Sequence, residues 1–244
     1  MVEKGHTDQA ECPQCGQTFK KLGLHWARGS CDYPKPDSEA TEILTGLFMG
    51  DGSLAAHDSE NPYMRWNNIN REFLQHIDTT LGWLTTGVRL KKSAETVAKQ
   101  TIERDRNGWN LNSENFNAIY GTRTRRLPYF RKFNRWYNDT QKRYPESLEL
   151  TPTIAKYWYA GDGTVNWMRE YSARVVFACQ NESDRPDFIR KLFTEAGFEV
   201  RQNRHMYYLS VDESKRFLQW MGDPVPGYEY KWEIESRPEY EQLK

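Results

Sequence analysis

The sequence lacks any hydrophobic stretch of the kind that enters or crosses a membrane. Its mean hydropathy is −0.91, and no apolar run approaches the roughly 20 residues that a membrane-spanning helix needs. Residues 1–6 (MVEKGH) do not contain the apolar core of a secretory signal. These absences argue against a membrane or secreted protein and predict an intracellular one.

The chain also has little cysteine and no net charge. Its four cysteines among 244 residues are too few for a disulfide-stapled scaffold. Lys plus Arg equals Asp plus Glu at 34 each, so any surface for nucleic acid has to be local. Aromatic residues reach 14%, which argues against disorder because disordered chains are poor in them.

Four residues with metal-binding side chains stand close together near the N-terminus: Cys12, Cys15, His25 and Cys31. Two thiolates on a tight turn and two later ligands from a helix are suited to one tetrahedral Zn²⁺. The pattern resembles C2H2-type zinc fingers, in a Cys-Cys-His-Cys variant with a structural Zn²⁺ and with His6 as reserve ligand. The alternative is three unrelated cysteines in a flexible tail. A finger here would read DNA, bind a protein, or cap the next domain.

A helical pattern that ends in Gly-Asp-Gly occurs twice, in residues 39–54 and 150–165. The two acids, Asp51 and Asp162, are 111 residues apart (162 − 51). Each copy continues into a strand, a helix closed by glycine, and further strands. The strands predicted in the first copy are 63–69, 88–90, 97–102 and 109–111, with a helix at 71–81. Those in the second are 173–179, 198–201 and 206–211, with helices at 185–196 and 213–221. This repetition predicts two similar α+β subdomains in one chain.

The two motifs carry a family resemblance. LTGLFMGDG (44–52) and AKYWYAGDG (155–163), the latter preceded by Leu-Thr-Pro, are similar to the motifs of single-chain LAGLIDADG homing endonucleases. Ala155-Lys156 departs from the usual Leu-Ala. The resemblance implies two pseudo-symmetric αββαββα subdomains that form a DNA-binding saddle behind the small zinc finger. The expected division is finger and linker at 1–35, first subdomain at 36–145 and second at 146–244.

The resemblance also implies a catalytic site. Asp51 and Asp162 would lie together over the DNA minor groove and bind Mg²⁺, with the Gly50 and Gly161 carbonyls as further ligands. Hard divalent cations held by carboxylates suit phosphodiester hydrolysis.

Three further side chains are implied with a catalytic role. Lys142 and Lys231 would polarise water or screen phosphate charge, and Gln180 would help to order water, with Asn68 as its candidate equivalent in the first half. The alternative for both lysines is an ordinary solvated surface position.

Basic residues are concentrated locally despite the zero net charge. Residues 120–144 hold eight Lys or Arg against one acid, which favours phosphate contacts; the alternative is an amphipathic helix with a solvated basic face. In the family the antiparallel strands lie in the major groove. The residues expected to contact DNA are Arg89, Lys91, Lys99, Arg104, Arg123, Arg125, Arg126, Arg174, Arg201 and Arg204.

These observations together predict a monomeric, Mg²⁺-dependent, site-specific endonuclease whose target is a long double-stranded DNA. The family precedent is a staggered double-strand break in the service of intron homing, and the finger would extend the DNA footprint. Two alternatives use the same scaffold. One is an RNA-splicing maturase whose partner is intron RNA, and the other is a regulator that binds DNA without cleaving it. Retention of both Asp51 and Asp162 favours the nuclease.

Overall fold

A computed structural model of the chain describes residues 9–56, 59–104, 112–138, 141–169 and 172–235. The helices are α1 (Leu22–Ala27), α2 (Ser38–Met49), α3 (Arg71–Leu81), α4 (Ala94–Arg104), α5 (Pro152–Asp162), α6 (Pro186–Glu195) and α7 (Val211–Met221). The strands are β1 (Ala10–Glu11), β2 (Thr18–Phe19), β3 (Ser53–Ala55), β4 (Tyr63–Asn68), β5 (Arg89–Lys92), β6 (Ile119–Arg123), β7 (Tyr137–Asn138), β8 (Gln141–Lys142), β9 (Gly163–Arg169), β10 (Ser172–Ala178), β11 (Arg201–Asn203) and β12 (Met206–Tyr208). None of the described helices has the length and apolar character of a membrane span.

The chain folds into two compact units, and their boundaries differ from those of the two sequence repeats. The first unit takes in the described residues of Met1–Pro36 and Gly52–Arg131, and the second those of Asp37–Asp51 and Lys132–Lys244. The first motif helix, α2, is therefore part of the same unit as the second motif helix, α5. The predicted division at 36–145 and 146–244 concerns the repeat and stays a prediction.

The first unit is built on a four-stranded antiparallel sheet in the order β3-β4-β6-β5. Strand β4 alternates, with Met64 and Trp66 buried and Arg65 and Asn67 exposed, so one face of the sheet is apolar and the other polar. The N-terminal module packs in this same unit. Trp26, 2% exposed, meets the Trp83 ring edge-on with 5.7 Å between ring centroids.

One predicted strand of the first unit is wrong. Residues 97–102 lie within helix α4, not in a strand. Ser93 starts this helix by accepting a hydrogen bond at Oγ from Thr96 N (3.2 Å), and the good helix formers Ala, Glu, Lys and Gln outweigh the β-branched residues that suggested a strand. The strand predicted at 109–111 lies outside the described residues. The two strands that directly follow the motifs, β3 and β9, were not predicted from the sequence.

The second unit contains the complete order α5-β9-β10-α6-β11-β12-α7, which confirms the αββαββα expectation for the second copy. Its antiparallel sheet has the order β11-β12-β10-β9. Phe177, Phe193 and Phe217 are buried between this sheet and its helices, with 5.4–5.9 Å between the ring centroids of successive pairs. Each buried aromatic ring removes a large apolar surface from water, so this cluster contributes to the stability of the core.

Helices α2 and α5 form the centre of the second unit. Asp37 Oδ1 starts α2 by accepting from Ala40 N (2.8 Å), and Thr151 Oγ1 starts α5 by accepting from Ile154 N (3.2 Å). Gly46 lets the two backbones approach, because a Cβ there would lie 2.4 Å from Ile154 O. Small residues at a helix crossing permit this distance.

Candidate functional site

The two motif helices end side by side. A Cβ added to Gly161 would lie 3.3 Å from Asp51 N and 3.4 Å from Gly50 Cα. The backbones therefore almost touch where α2 stops at Met49 and α5 stops at Asp162. This brings together the two acids and the two glycines that the sequence singled out.

The two carboxylates influence each other electrostatically. Burial, followed by repulsion from Asp51, raises the pKa of Asp162 to about 6, while Lys142 and Lys231 oppose that shift. Carboxylate oxygens with adjoining backbone carbonyls are the donors that hard cations prefer. A cation would also relieve the repulsion between the acids. The residues present thus fit a divalent metal ion.

Lys142 lies at the end of the first motif helix. Its Nζ donates to Phe48 O and Gly50 O, both at 2.6 Å. Burial lowers the pKa of Lys142 to about 8, although Asp162 and Asp51 favour its charged form. The Gly50 carbonyl, expected as a metal ligand, thus already accepts a hydrogen bond from this lysine.

Lys231 does the same at the end of the second motif helix. Its side chain is buried, with 6% of the residue exposed, and its Nζ donates to Ala160 O (2.8 Å), Gly163 O (2.7 Å) and Tyr159 O (3.3 Å). Burial lowers the pKa of Lys231 to about 8, opposed by Asp51 and Asp162. A cation at a helix C-terminus is favourable because the last carbonyls have no partner within the helix. The alternative of ordinary solvated surface positions is therefore wrong for both lysines, and their catalytic role stays a prediction.

Of the two expected water-ordering residues, Gln180 lies just beyond a strand and Asn68 lies at the end of one. Gln180 is exposed and begins a 3₁₀ turn (Gln180–Glu182), two residues after the end of β10. Asn68 ends β4, and its Oδ1 accepts from Asn70 N (2.8 Å). Cys179, which lies between β10 and the 3₁₀ turn, is buried, with 2% of its surface exposed.

Glu182 is a site residue that sequence reasoning missed. It is fully buried, its Oε1 accepts from Tyr144 N (2.7 Å), and its Oε2 accepts from Arg185 Nε (2.8 Å). Tyr144 in turn donates its hydroxyl to Met49 O (3.0 Å) at the end of α2. The turn after β10 thereby fixes the segment that carries Lys142. Asn-Glu-Ser-Asp-Arg resembles a solvated loop, so the sequence holds no signal for this role.

The four predicted zinc ligands come together. The ligand atoms of Cys12, Cys15, His25 and Cys31 all lie within 4.8 Å of one another, and Cys12 Sγ accepts from Trp26 Nε1 (3.4 Å). Burial opposes ionisation of Cys12, but backbone and indole N–H donors lower its pKa to about 6. Burial and the neighbouring thiols raise the pKa of Cys31 to about 11. Crowded thiols with these opposed tendencies fit a shared cation. His6 lies outside the described residues.

The polar face of the first sheet carries several of the predicted DNA contacts. Arg65 pairs with Arg123 across β4 and β6, and Arg89 pairs with Gly121. Lys91 lies over Gly121, with its Cε 2.6 Å from where a Cβ would stand. Burial and then the charges of Arg89, Arg123 and Arg65 lower the pKa of Lys91. These four cations, which we call the basic face, repel one another and favour an anion.

The second sheet has a similar but less charged face. Arg174 pairs with Asn166, and its guanidinium lies 4.1 Å from the centroid of the Tyr208 ring. Arg201 pairs with Tyr208 across β11 and β12, and Arg204 follows β11 with a φ of 56°. All three arginines therefore lie on or beside one sheet, as expected.

The remaining predicted contacts are placed differently. Lys99 and Arg104 belong to helix α4 and are exposed there, so their expected strand position is wrong. Arg125 is 9% exposed and donates from Nε to Trp83 O (2.8 Å), whereas Arg126 is exposed. The alternative of one amphipathic helix over 120–144 is also wrong, because this segment contains β6, a 3₁₀ segment (Pro128–Trp136) and the paired strands β7 and β8.

Comparison with known proteins agrees with this arrangement. Among solved structures, 15 chains match. One is the homing endonuclease I-WcaI bound to its DNA recognition sequence, with a TM-score of 0.68 and 14% identity, covering 87% of this chain and 92% of that chain. At that identity the likeness shows a shared fold. No curated protein matches the sequence.

The sequence itself matches a described family over most of its length. Residues 41–217 match the LAGLIDADG DNA endonuclease family, and this span includes both Gly-Asp-Gly motifs and both four-stranded sheets. The chain therefore belongs to the LAGLIDADG DNA endonuclease family.

Proposed function

We propose that this chain is a site-specific homing endonuclease that makes a staggered double-strand break in a long DNA target by metal-dependent phosphodiester hydrolysis. The observation that carries the proposal is the meeting of Asp51 and Asp162 at the ends of two glycine-packed helices, each end bound by a lysine. The DNA-bound state of I-WcaI supports it, because that protein shares the fold. One chain supplies both acids, so we expect a monomer to act.

The acids would hold the metal ion. Asp51, Asp162 and the Gly161 carbonyl are the donors for a divalent cation such as Mg²⁺. The Gly50 carbonyl already accepts a hydrogen bond from Lys142, so only its second lone pair is open to a metal ion. When bound, such a cation stabilises charge on the reacting phosphate and promotes ionisation of water. With one carboxylate serving each scissile strand, the two cuts complete a double-strand break.

The lysines would act through their charge. All three protons of a charged Lys231 Nζ are directed to backbone carbonyls, namely Tyr159 O, Ala160 O and Gly163 O. Lys231 is therefore poorly placed to donate a proton to a leaving group. A fixed positive charge beside two acids instead lowers the cost of bringing a phosphate to them. We assign Lys142 the same role at the other helix end.

DNA binding would use the polar faces of the two sheets. The basic face and the Arg174–Tyr208 pair offer guanidinium groups for phosphates and base edges. The module at the N-terminus would hold Zn²⁺ through Cys12, Cys15, His25 and Cys31, and that ion would contribute to its folding.

The experiment is selection from a randomised plasmid library with Mg²⁺, comparing the wild type with the Asp51→Asn, Asp162→Asn double variant. A discrete long site cut by the wild type alone supports the proposal. The single variants should nick one strand of that site. If neither protein cuts, while the wild type binds a specific duplex, the regulator is correct. Retention of RNA in place of duplex DNA would favour the maturase.

A further inference from the structure

A cavity lies in the first unit between the finger and the sheet. Its volume is about 430 Å³, and the finger contributes Lys21, Leu24 and Tyr33 to its wall. The sheet side contributes Arg123 and Arg126. The cavity is lined neither by the acids and lysines of the candidate catalytic site nor by the four predicted zinc ligands.

The cavity has an uneven charge. Of the described residues that line it, four are cationic, the fourth being Arg125, and Glu60 is the one acid. This excess of positive charge means that the wall favours an anionic ligand with oxygen acceptors.

The cavity is continuous with the basic face. Arg123 belongs to both, since it pairs with Arg65 on the sheet and also lines the cavity. The guanidinium groups of Arg123 and Arg126 each lie 5.2 Å from the centroid of the Tyr63 ring. A polyanion that follows the basic face towards Arg126 is therefore led to the finger.

The finger side of the cavity is partly apolar. Leu24 is 46% exposed, and it lines the cavity together with Ala27 and Tyr33. An exposed apolar side chain beside cations suits a sugar-phosphate unit better than a free inorganic anion, because the deoxyribose gives Leu24 an apolar neighbour.

We propose that this cavity binds a backbone phosphate, with its sugar, of duplex DNA flanking the segment that the first sheet contacts. The finger then contributes phosphate contacts through Lys21 and does not read bases there. This inference rests on the proposed function in so far as the ligand is target DNA. Of the three roles that the sequence left open for the finger, namely reading DNA, binding a protein or capping the next domain, the inference selects contact with DNA. In that role the finger extends the DNA footprint.

The test is a salt titration of duplex binding by the full zinc-loaded chain, in buffer without Mg²⁺ so that no cleavage occurs. The probes are the selected target and a version shortened on the flank next to the first half. The variants are Lys21→Ala and Arg126→Ala. The matched control is Lys20→Ala, because Lys20 is exposed and adjacent but does not line the cavity. Lys21→Arg should restore binding, and zinc content shows that each finger is intact.

We expect Lys21→Ala to flatten the slope of log K against log salt on the long duplex by about 0.9, the value for one lost phosphate contact. Lys20→Ala should leave that slope unchanged, and on the shortened duplex all variants should behave alike. The inference would be overturned if Lys21→Ala and Lys20→Ala changed the salt slope equally. It would also be overturned if neither Lys21→Ala nor Arg126→Ala changed that slope. Arg126 lies outside the finger, so its variant tests the cavity even if Lys21→Ala loses zinc. A wild type that binds no duplex would instead refute the proposed function.

Discussion

Substitution of Gly46 by alanine tests the central helix pair. A Cβ at this position would lie 2.4 Å from Ile154 O and 2.9 Å from Tyr157 Cβ. Ordinary contact begins at 3.4 Å, so the carbonyl is 1.0 Å too close (3.4 − 2.4). Ile154 O belongs to the backbone of α5 and cannot rotate away, so the two helices have to separate by about that distance.

The separation affects both stability and activity. Overpacking of this kind costs about 1–3 kcal/mol, which corresponds to a melting temperature lower by about 2–12 °C for a chain of this size. Because α2 and α5 carry Asp51 and Asp162, we also expect cleavage to fall by about 100-fold, the loss typical of a 1 Å misplacement.

The assay is thermal unfolding together with single-turnover cleavage of the selected target. Gly161→Ala is the graded comparison, since its Cβ would lie 3.3 Å from Asp51 N and needs a shift of tenths of an ångström. Gly23→Ala is the control for the unfolding measurement, because nothing lies within 4 Å of a Cβ there. A Gly46→Ala protein that melts and cleaves like the wild type would refute the close packing of the helices.

Three other predictions concern charge, positioning and metal. Without divalent cations, Asp162→Asn should raise the melting temperature at pH 7. The fold raises the pKa of Asp162 from 3.8 to about 6, so its contribution to stability is present below pH 3.8 and lost as the pH rises through 6; a gain that persists unchanged at pH 4 would contradict this. Glu182→Ala should reduce kcat, change KM little and shift the alkaline limb of the pH–rate profile. The reason is that the segment bearing Lys142 loses its hydrogen bond to Glu182 Oε1. A change in melting temperature alone would show a merely structural role for Glu182. Removal of Zn²⁺ by a chelator should raise the rate of amide hydrogen exchange at residues 82–86 as well as in the finger, because Trp26 packs against Trp83. An increase in exchange rate that is confined to residues 9–36 would show that the finger folds independently.

The helices and their ends were predictable because their signals are local. The helix predicted at 71–81 corresponds to α3, where Asn70 Oδ1 accepts from Phe73 N (3.0 Å) and Gly82 closes the helix with a φ of 50°. The two motifs and the finger spacing are likewise short patterns, and they led to the family and to the metal cluster. Helix α4 was not predicted, because its β-branched residues Val97, Thr101 and Ile102 favour a strand and its N-cap, Ser93, is a weak signal by itself.

The contacts that complete the candidate site were not predictable from local patterns. Lys142 bonds Gly50 O across 92 positions of sequence, and Lys231 bonds Ala160 O across 71. The burial of Glu182 depends on Tyr144, 38 positions away. Periodicity and propensity describe neighbours within a few residues, so they place such side chains on the surface by default.

The separation of α2 from α5 along the chain has a consequence during synthesis. Residues 43–49 of α2 are all buried in the finished fold, yet α5 begins at Pro152, 103 residues after Met49 (152 − 49). At about 5–20 residues per second, the ribosome needs roughly 5–20 s to supply that partner. The apolar surface of α2 stays uncovered by α5 for this period, so we expect the nascent first half to bind chaperones and to aggregate more readily when translation stalls.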